Sequence, residues 1–213
     1  MEKLAHLLSA NFQTILIDLP GFGQSDPPAS NWGVGEYSKF IIDFLSSINL
    51  SSIIYFGHSF SGSLGIYLAS HYPSKIKKLI LCDSSFKRSG KTSTVTKRLK
   101  NFIEKIPLSQ NLILLLRKIY YRIFFPNSDL LKYPSLEKNF RKIINEDLTQ
   151  YLKNINCPVL VLWGEEDRET PKTLAFELKE KIKDARLKIF PNISHNLPIT
   201  NPEKVYSEIK KFL

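Results

Sequence analysis

The sequence predicts an α/β fold: a mostly parallel sheet flanked by helices and interrupted by one helical insertion. Three observations carry that expectation. Short apolar, β-branched runs alternate with segments of helical periodicity at both ends of the chain. The alternation is lost only over residues 86–154. That block also holds 15 Lys+Arg against 5 Asp+Glu, while the remainder holds 15 of each, so texture and charge mark the same boundary. The expected organisation is a core of residues 1–85 and 155–213 with a basic helical cap at 86–154.

Taken in order, Leu4, Leu7 and Leu8 fall at i, i+3 and i+4 and predict a short amphipathic helix over residues 3–10. Thr14-Ile15-Leu16-Ile17 reads as a buried strand. It runs into a loop, residues 18–28, whose two glycines and three prolines make it structured rather than a linker. Asp18 and Asp26 in that loop are read as fixing it through side-chain-to-backbone bonds. Tyr37, Phe40, Ile41, Phe44, Leu45 and Ile48 form the cleanest helical stripe in the chain, over residues 36–48.

Ile53-Ile54-Tyr55-Phe56 predicts a strand and Leu64, Tyr67 and Leu68 a helix running up to Pro73. Between them lies Gly57-His58-Ser59-Phe60-Ser61-Gly62. A strand, a tight turn carrying a serine and a helix present that hydroxyl at the apex of the turn. The N–H of the next residue, Phe60, then points at the same space. Gly57 permits the sharp turn, and small residues at 61 and 62 permit a close crossing. The plain alternative is an ordinary Ser/Gly turn.

Lys77–Cys82 predicts the next strand. Within 86–154, residues 111–125 are nearly continuous apolar sequence broken by Arg117, Lys118 and Arg122, too short and too charged to cross a bilayer. They read as a buried helix of a small lid; the alternative is an apolar face turned to a lipid-like substrate or membrane surface. Alternation returns with a strand over 158–163, a helix over 172–182, a strand over 187–190 and a closing helix that turns Val205, Tyr206, Ile209 and Phe212 inward.

Composition narrows the function classes. A chain of 213 residues carries one sizeable core plus an insertion. It has no run of transmembrane length and no basic-then-apolar leader at its start. Cys82 and Cys157 read as buried thiols of a reducing compartment, so a cytoplasmic location is expected. They make neither a disulfide framework nor a metal spacing, and no cofactor or metal is expected. The net charge of +10 belongs to the cap, where Lys97, Arg98 and Lys100 either solvate helix faces or give weak contact with an anionic membrane surface. No nucleic-acid-binding motif accompanies the charge.

A serine becomes nucleophilic through a base, and the base needs an acid to hold its tautomer. Of the four histidines, His6 and His71 sit on helices and His58 in the turn. Only His195 lies in a loop between a late strand and the final helix, where parallel sheets collect their chemistry. Its plain alternative is a solvated loop histidine. The strand ending at Trp163 runs into a loop with Glu165, Glu166, Asp167 and Glu169. The glutamates are read as solvated charges.

These segments resemble the α/β-hydrolase superfamily. Residues 57–61 are similar to its G-x-S-x-G nucleophile pattern, departing at Ser61. Residues 18–25 match D-x-x-G-x-G-x-S, residues 163–171 match the acid loop W-G-x-x-D-x-x-x-P, and Asn201-Pro202-Glu203 with the closing helix matches the family's ending. The order Ser59, Asp167, His195 is the order of that fold. The resemblance implies Ser59 as nucleophile, the Phe60 N–H as oxyanion donor, Asp167 as orienting acid and His195 as base. Asp83, just after the strand at 77–82, is the alternative acid.

A serine at 59 sets aside relatives that use a carboxylate nucleophile, such as haloalkane dehalogenases and epoxide hydrolases. It leaves acyl transfer to water over an ester, amide, thioester or activated C–C bond. A carboxylic ester of a small molecule with an apolar acyl or alkyl part is the leading expectation. A non-catalytic binding protein on the same fold is the rival.

The family carries strands upstream of the first one here, the last ending in a His-Gly loop that supplies a second oxyanion donor. The chain therefore reads as N-terminally shortened. By resemblance the absent strand would lie between residues 14–17 and 53–56. The expectation is that those two segments pair directly rather than leave a gap, because unpaired buried backbone is costly.

Overall fold

The computed structural model describes residues 1–87 and 133–213. Four strands, β1 (Ile53–His58), β2 (Ile76–Cys82), β3 (Val159–Gly164) and β4 (Ala185–Phe190), form one sheet in that order, and all three pairings are parallel. Parallel neighbours need crossovers, and helix α3 (Phe60–His71) joins β1 to β2 while α5 (Thr173–Lys181) joins β3 to β4. The other helices among the described residues are α1 (Glu2–Ser9), α2 (Val34–Ser47), α4 (Glu137–Asn145), the short α6 (Leu197–Thr200) and α7 (Pro202–Phe212).

Period-2 alternation splits the strands between two cores. Leu79, Leu81, Val159, Val161 and Trp163 face one layer with α2, α3 and α5. Ile80, Cys82, Leu160 and Leu162 face the other, built from Leu4 of α1, Leu197 of α6, and Val205, Ile209 and Phe212 of α7. With both faces covered, every residue of β3 is buried, which is why its sequence is continuously apolar. Tyr206 is only half-buried at the margin of that second layer.

Helix α2 begins at Val34, two residues earlier than the apolar stripe suggests. The Glu36 carboxylate accepts the Gly33 N–H at 2.8 Å and closes the first turn. Tyr37 on this helix is buried, and its hydroxyl donates to the Pro20 carbonyl at 3.1 Å, which anchors the glycine-rich loop. Inside that loop the Asp18 carboxylate accepts the Gln24 N–H at 3.1 Å, the fixing role expected of it.

The expected buried strand at Thr14–Ile17 is absent. Those residues have no regular structure, and Ile15 and Leu16 are 42% and 57% exposed. The direct pairing with β1 is absent too: among the described residues β1 pairs only with β2 and stands at the sheet edge. A groove of about 530 Å³ separates the two segments, lined by Phe12, Ile15, Ile17, Ile53 and Phe56 among others. The gap is not a closed one: Ile54 is 38% exposed and most of β1 is only half-buried, so the burial that makes unpaired backbone costly is incomplete there. Cys157 is half-buried rather than buried, while Cys82 is fully buried; both are free thiols.

Of residues 86–154, the described stretch 133–154 is mostly helical. Short 3₁₀ turns at Pro134–Leu136 and Thr149–Asn154 flank α4. Ile143, Leu148 and Leu152 join the sheet's core, and Lys142 pairs with Glu36 at 2.8 Å. The apolar segment 111–125, and Lys97, Arg98 and Lys100, lie outside the described residues. No helix among the described residues is long and apolar enough to cross a membrane.

Candidate active site

Strand β1 delivers Ser59 at its end and α3 starts one residue later. Ser59 takes φ +53° and ψ −119°, a left-handed conformation that a serine adopts only under constraint. The constraint is visible. The Ser59 N–H donates to the Cys82 carbonyl at 3.1 Å, and its own carbonyl accepts the Gly62 N–H at 3.0 Å. A Cβ on Gly57 would come within 2.5 Å of the Ser61 carbonyl oxygen and 2.8 Å of Gly62, so only glycine lets strand and helix cross here. Phe60 is the first residue of α3, and its N–H is one of the helix's orphan donors.

His195 reaches this hydroxyl from the loop after β4. Its Nε2 lies 2.9 Å from Ser59 Oγ, and its Nδ1 lies 2.8 Å from Asp167 Oδ2. A carboxylate only accepts, so Nδ1 carries the proton and donates to Asp167, leaving Nε2 to accept from the Ser59 hydroxyl. Asp167 is buried and fully occupied. Its Oδ1 accepts the N–H groups of Glu169 and Thr170, each at 2.8 Å, and the Thr170 hydroxyl donates to Oδ2 at 2.5 Å. Trp163 Nε1 donates to the Thr170 carbonyl at 2.9 Å and pins this loop to β3. Thr170 was not singled out in the sequence, although an Asp followed three residues later by Thr is a turn signature that could have found it.

The two carboxylates considered as acid have different places. Asp83, at φ +45° after β2, is fully buried, and its Oδ1 accepts the Gly164 N–H at 2.8 Å. Its Oδ2 stands 4.0 Å from His58 Nε2. It braces the start of the acid loop, whereas the hydrogen bond at His195 Nδ1 is made by Asp167. Burial, with the Asp167 charge, outweighs the Gly164 N–H and pushes Asp83 up to about 7.

Burial works against a charged His195, but the hydrogen bond and charge of Asp167, helped by Glu169 and Asp83, prevail and raise its pKa above the ordinary value. Glu169 is therefore not simply a solvated charge: its Oε2 lies 3.7 Å from His195 Nε2. Glu165 is the exposed partner of Lys172 at 2.9 Å. A small recess of about 250 Å³ beside His195 is lined by Glu166, Arg168, Glu169, Ser194 and Asn196. On the other side of Ser59, Phe60 stacks on Phe22 with centroids 6.1 Å apart, and Phe22 also meets Tyr133 and Phe140 at 5.1 and 5.8 Å. Among the described residues no group of three His, Cys, Asp or Glu side chains is placed to hold a metal ion.

A family model described as the alpha/beta hydrolase fold matches residues 1–111. The chain belongs to this α/β-hydrolase family. The hydrolase is 25% identical to the uncharacterized hydrolase YugF of Bacillus subtilis over all of this chain and 84% of that protein. It is likewise 25% identical to a 2-hydroxy-6-oxononadienedioate/2-hydroxy-6-oxononatrienedioate hydrolase of Cupriavidus pinatubonensis, over 89% of this chain and 72% of that one. Among solved structures, the fold is shared with the meta-cleavage product hydrolase CumD of Pseudomonas fluorescens, at a TM-score of 0.73 and 20% identity over 99% of this chain and 83% of that one. A marine microorganism esterase gives a TM-score of 0.72 at 24% identity, over 99% and 88% of the two chains. This hydrolase is thus an enzyme with the expected fold, a parallel sheet flanked by helices.

Proposed function

We propose that the chain is a serine hydrolase that transfers the acyl group of a small carboxylic ester to water, with Ser59 as nucleophile, His195 as base and Asp167 as orienting acid. The observation that carries this reading is the continuous relay from Ser59 Oγ through the His195 ring to Asp167, at 2.9 and 2.8 Å. Ser59 Oγ attacks the carbonyl carbon and forms the new C–O bond while its proton passes to His195 Nε2. The oxyanion so formed accepts the Phe60 N–H at the head of α3. Collapse breaks the bond to the leaving alcohol, which takes the proton from Nε2. Water then repeats the sequence on the acyl-enzyme, releasing the acid and restoring Ser59. Asp167 faces the imidazolium throughout.

The ring cluster of Phe22, Phe60, Tyr133 and Phe140 beside the nucleophile favours a substrate whose acyl or alkyl part is apolar. Tyr133 and Phe140 belong to the block 86–154, which we read as a cap; its residues 88–132 lie outside the described residues. The free thiols of Cys82 and Cys157 suit a cytoplasmic setting.

A second substrate class has specific support. Several relatives are named 2-hydroxy-6-oxononadienedioate/2-hydroxy-6-oxononatrienedioate hydrolases; an oxo-dienedioate contains no ester or amide bond, so hydrolysis of such a compound would break a C–C bond. Hydrolysis of short-chain aryl esters by the wild type and by Ser59→Ala tests the first reading, and a loss of about 10³-fold or more is expected. Equal rates would remove Ser59 from the reaction. Turnover of a 2-hydroxy-6-oxo-dienoate well above that of any ester would move the substrate to the C–C class with the same residues.

A further inference from the structure

His58 is fixed in the turn beside the nucleophile, yet no step described above uses it. Its Nε2 lies 2.7 Å from the carbonyl oxygen of His195, and the two imidazoles stand with centroids 5.0 Å apart and planes inclined at 40°. A carbonyl only accepts, so Nε2 must carry a proton and donate. We propose that His58 is a positioning residue: its Nε2–H clamps the main chain of His195 to the nucleophile turn and so holds the base at reacting distance from Ser59.

The geometry explains what the clamp adds. The His195 side chain is held at both ring nitrogens, by Ser59 and Asp167. Its main chain belongs to a loop after β4, on the far side of the sheet order from β1, which carries Ser59. The His58 bond ties the main chain at residue 195 directly to β1 across that distance. The His58 end is held in place, because its N–H and C=O are each bonded to the Ser61 hydroxyl, at 2.8 and 3.0 Å. When Nε2 of His195 releases Ser59 Oγ to hand its proton to a leaving group, the ring loses one of its two holds and the main-chain clamp remains.

The clamp must not titrate in the working range, and the surroundings keep it neutral. The ring is largely buried, with Asp83 Oδ2 4.0 Å away and His195 and Asp167 nearby, and burial dominates these charges and lowers its pKa to about 4. A neutral ring with its proton on Nε2 leaves Nδ1 bare, and that tautomer is observable.

The inference rests on the serine-hydrolase reading for its kinetic arm alone. Long-range ¹H–¹⁵N correlation of the imidazole nitrogens in the full chain, assigned by difference with His58→Gln, should show His58 protonated on Nε2 and bare at Nδ1 from about pH 5 to 9. A proton on Nδ1, or titration within that range, overturns the clamp whether or not the protein hydrolyses an ester. In ester hydrolysis His58→Leu should lower kcat about 10- to 100-fold with KM changed less than about threefold, as expected when a reacting group is misplaced. His58→Gln, which keeps an N–H at similar reach, should recover kcat to within about fivefold of wild type. A His58→Leu kcat within about threefold of wild type contradicts the proposal. So does a His58→Gln kcat as low as that of His58→Leu when both melt normally, since the loss then follows ring shape rather than the donated bond.

Discussion

The hydroxyl of Ser61 lies 2.8 Å from the amide nitrogen of His58 and 3.0 Å from its carbonyl oxygen. One side chain from the first turn of α3 therefore satisfies both main-chain groups of the residue preceding Ser59. The fifth position of G-x-S-x-G holds glycine in the family pattern; in this chain a serine occupies it and closes the turn chemically. Ser61→Ala should leave the His58 N–H without its partner and destabilise the fold by about 1–3 kcal/mol. At this chain length that lowers Tm by about 2–4 °C per kcal/mol in a thermal melt. Ser61→Gly, though it restores the family pattern, should do no better. A melt unchanged in both variants would show that the two bonds are idle.

The two buried aspartates have different partners: Asp167 meets His195 Nδ1 and Asp83 the Gly164 N–H. Asp167→Asn keeps the shape but presents an amide to Nδ1 and favours the wrong tautomer of His195. kcat should fall by about 10⁴-fold with KM nearly unchanged. Asp83→Asn keeps an acceptor for the Gly164 N–H and should cost less than about tenfold. Steady-state kinetics on one ester decides the assignment, and the reverse ranking would hand the acid role to Asp83.

Activity should rise with pH. Below its pKa, His195 is already protonated and cannot accept the Ser59 proton, so the acidic limb of kcat/KM follows that pKa. Burial alone would pull it down, but Asp167, Glu169 and Asp83 pull it up, so the midpoint should lie above the usual 6.5 or so of histidine. Glu169→Gln removes a carboxylate 3.7 Å from Nε2 and should move the midpoint down while leaving the plateau largely intact. A midpoint at or below the ordinary histidine value in wild type would contradict the electrostatics of the site.

Asp83 should also write itself into stability. Its folded-state pKa, about 7, is above the value of about 3.9 for an unfolded aspartate. The folded state therefore holds a proton that the unfolded chain has released. Its stabilising effect is full below about pH 4 and is lost as pH climbs to about 7. Equilibrium unfolding in urea across this window should show wild type losing stability with rising pH, and Asp83→Asn should flatten that slope. Parallel profiles for the two proteins would place the Asp83 titration elsewhere.

Much of this architecture is legible in the sequence, and the misses share a cause. The strands β1 to β4 were readable because runs such as Val159–Trp163 are buried on both faces, and helix α2 because its apolar stripe is unbroken. Thr14–Ile17 carries the same β-branched texture but forms no strand, since a strand exists only with a neighbour, and local composition does not report the neighbour's absence. The meeting of Ser59, Asp167 and His195 was readable from motif and order. Thr170, Glu169 and His58 were not, because their roles depend on side chains meeting across loops that no spacing rule connects. The shared feature of those three is proximity to His195, which only the folded geometry supplies.

The most direct test of the central claim is covalent. The full chain is treated with an alkyl fluorophosphonate, weighed intact, then digested to locate the adduct. The account predicts one phosphonyl group per chain, on Ser59, with labelling abolished in Ser59→Ala and strongly slowed in His195→Ala. A folded wild-type sample that takes up no label, or that carries it on another residue, would contradict Ser59 as the nucleophile.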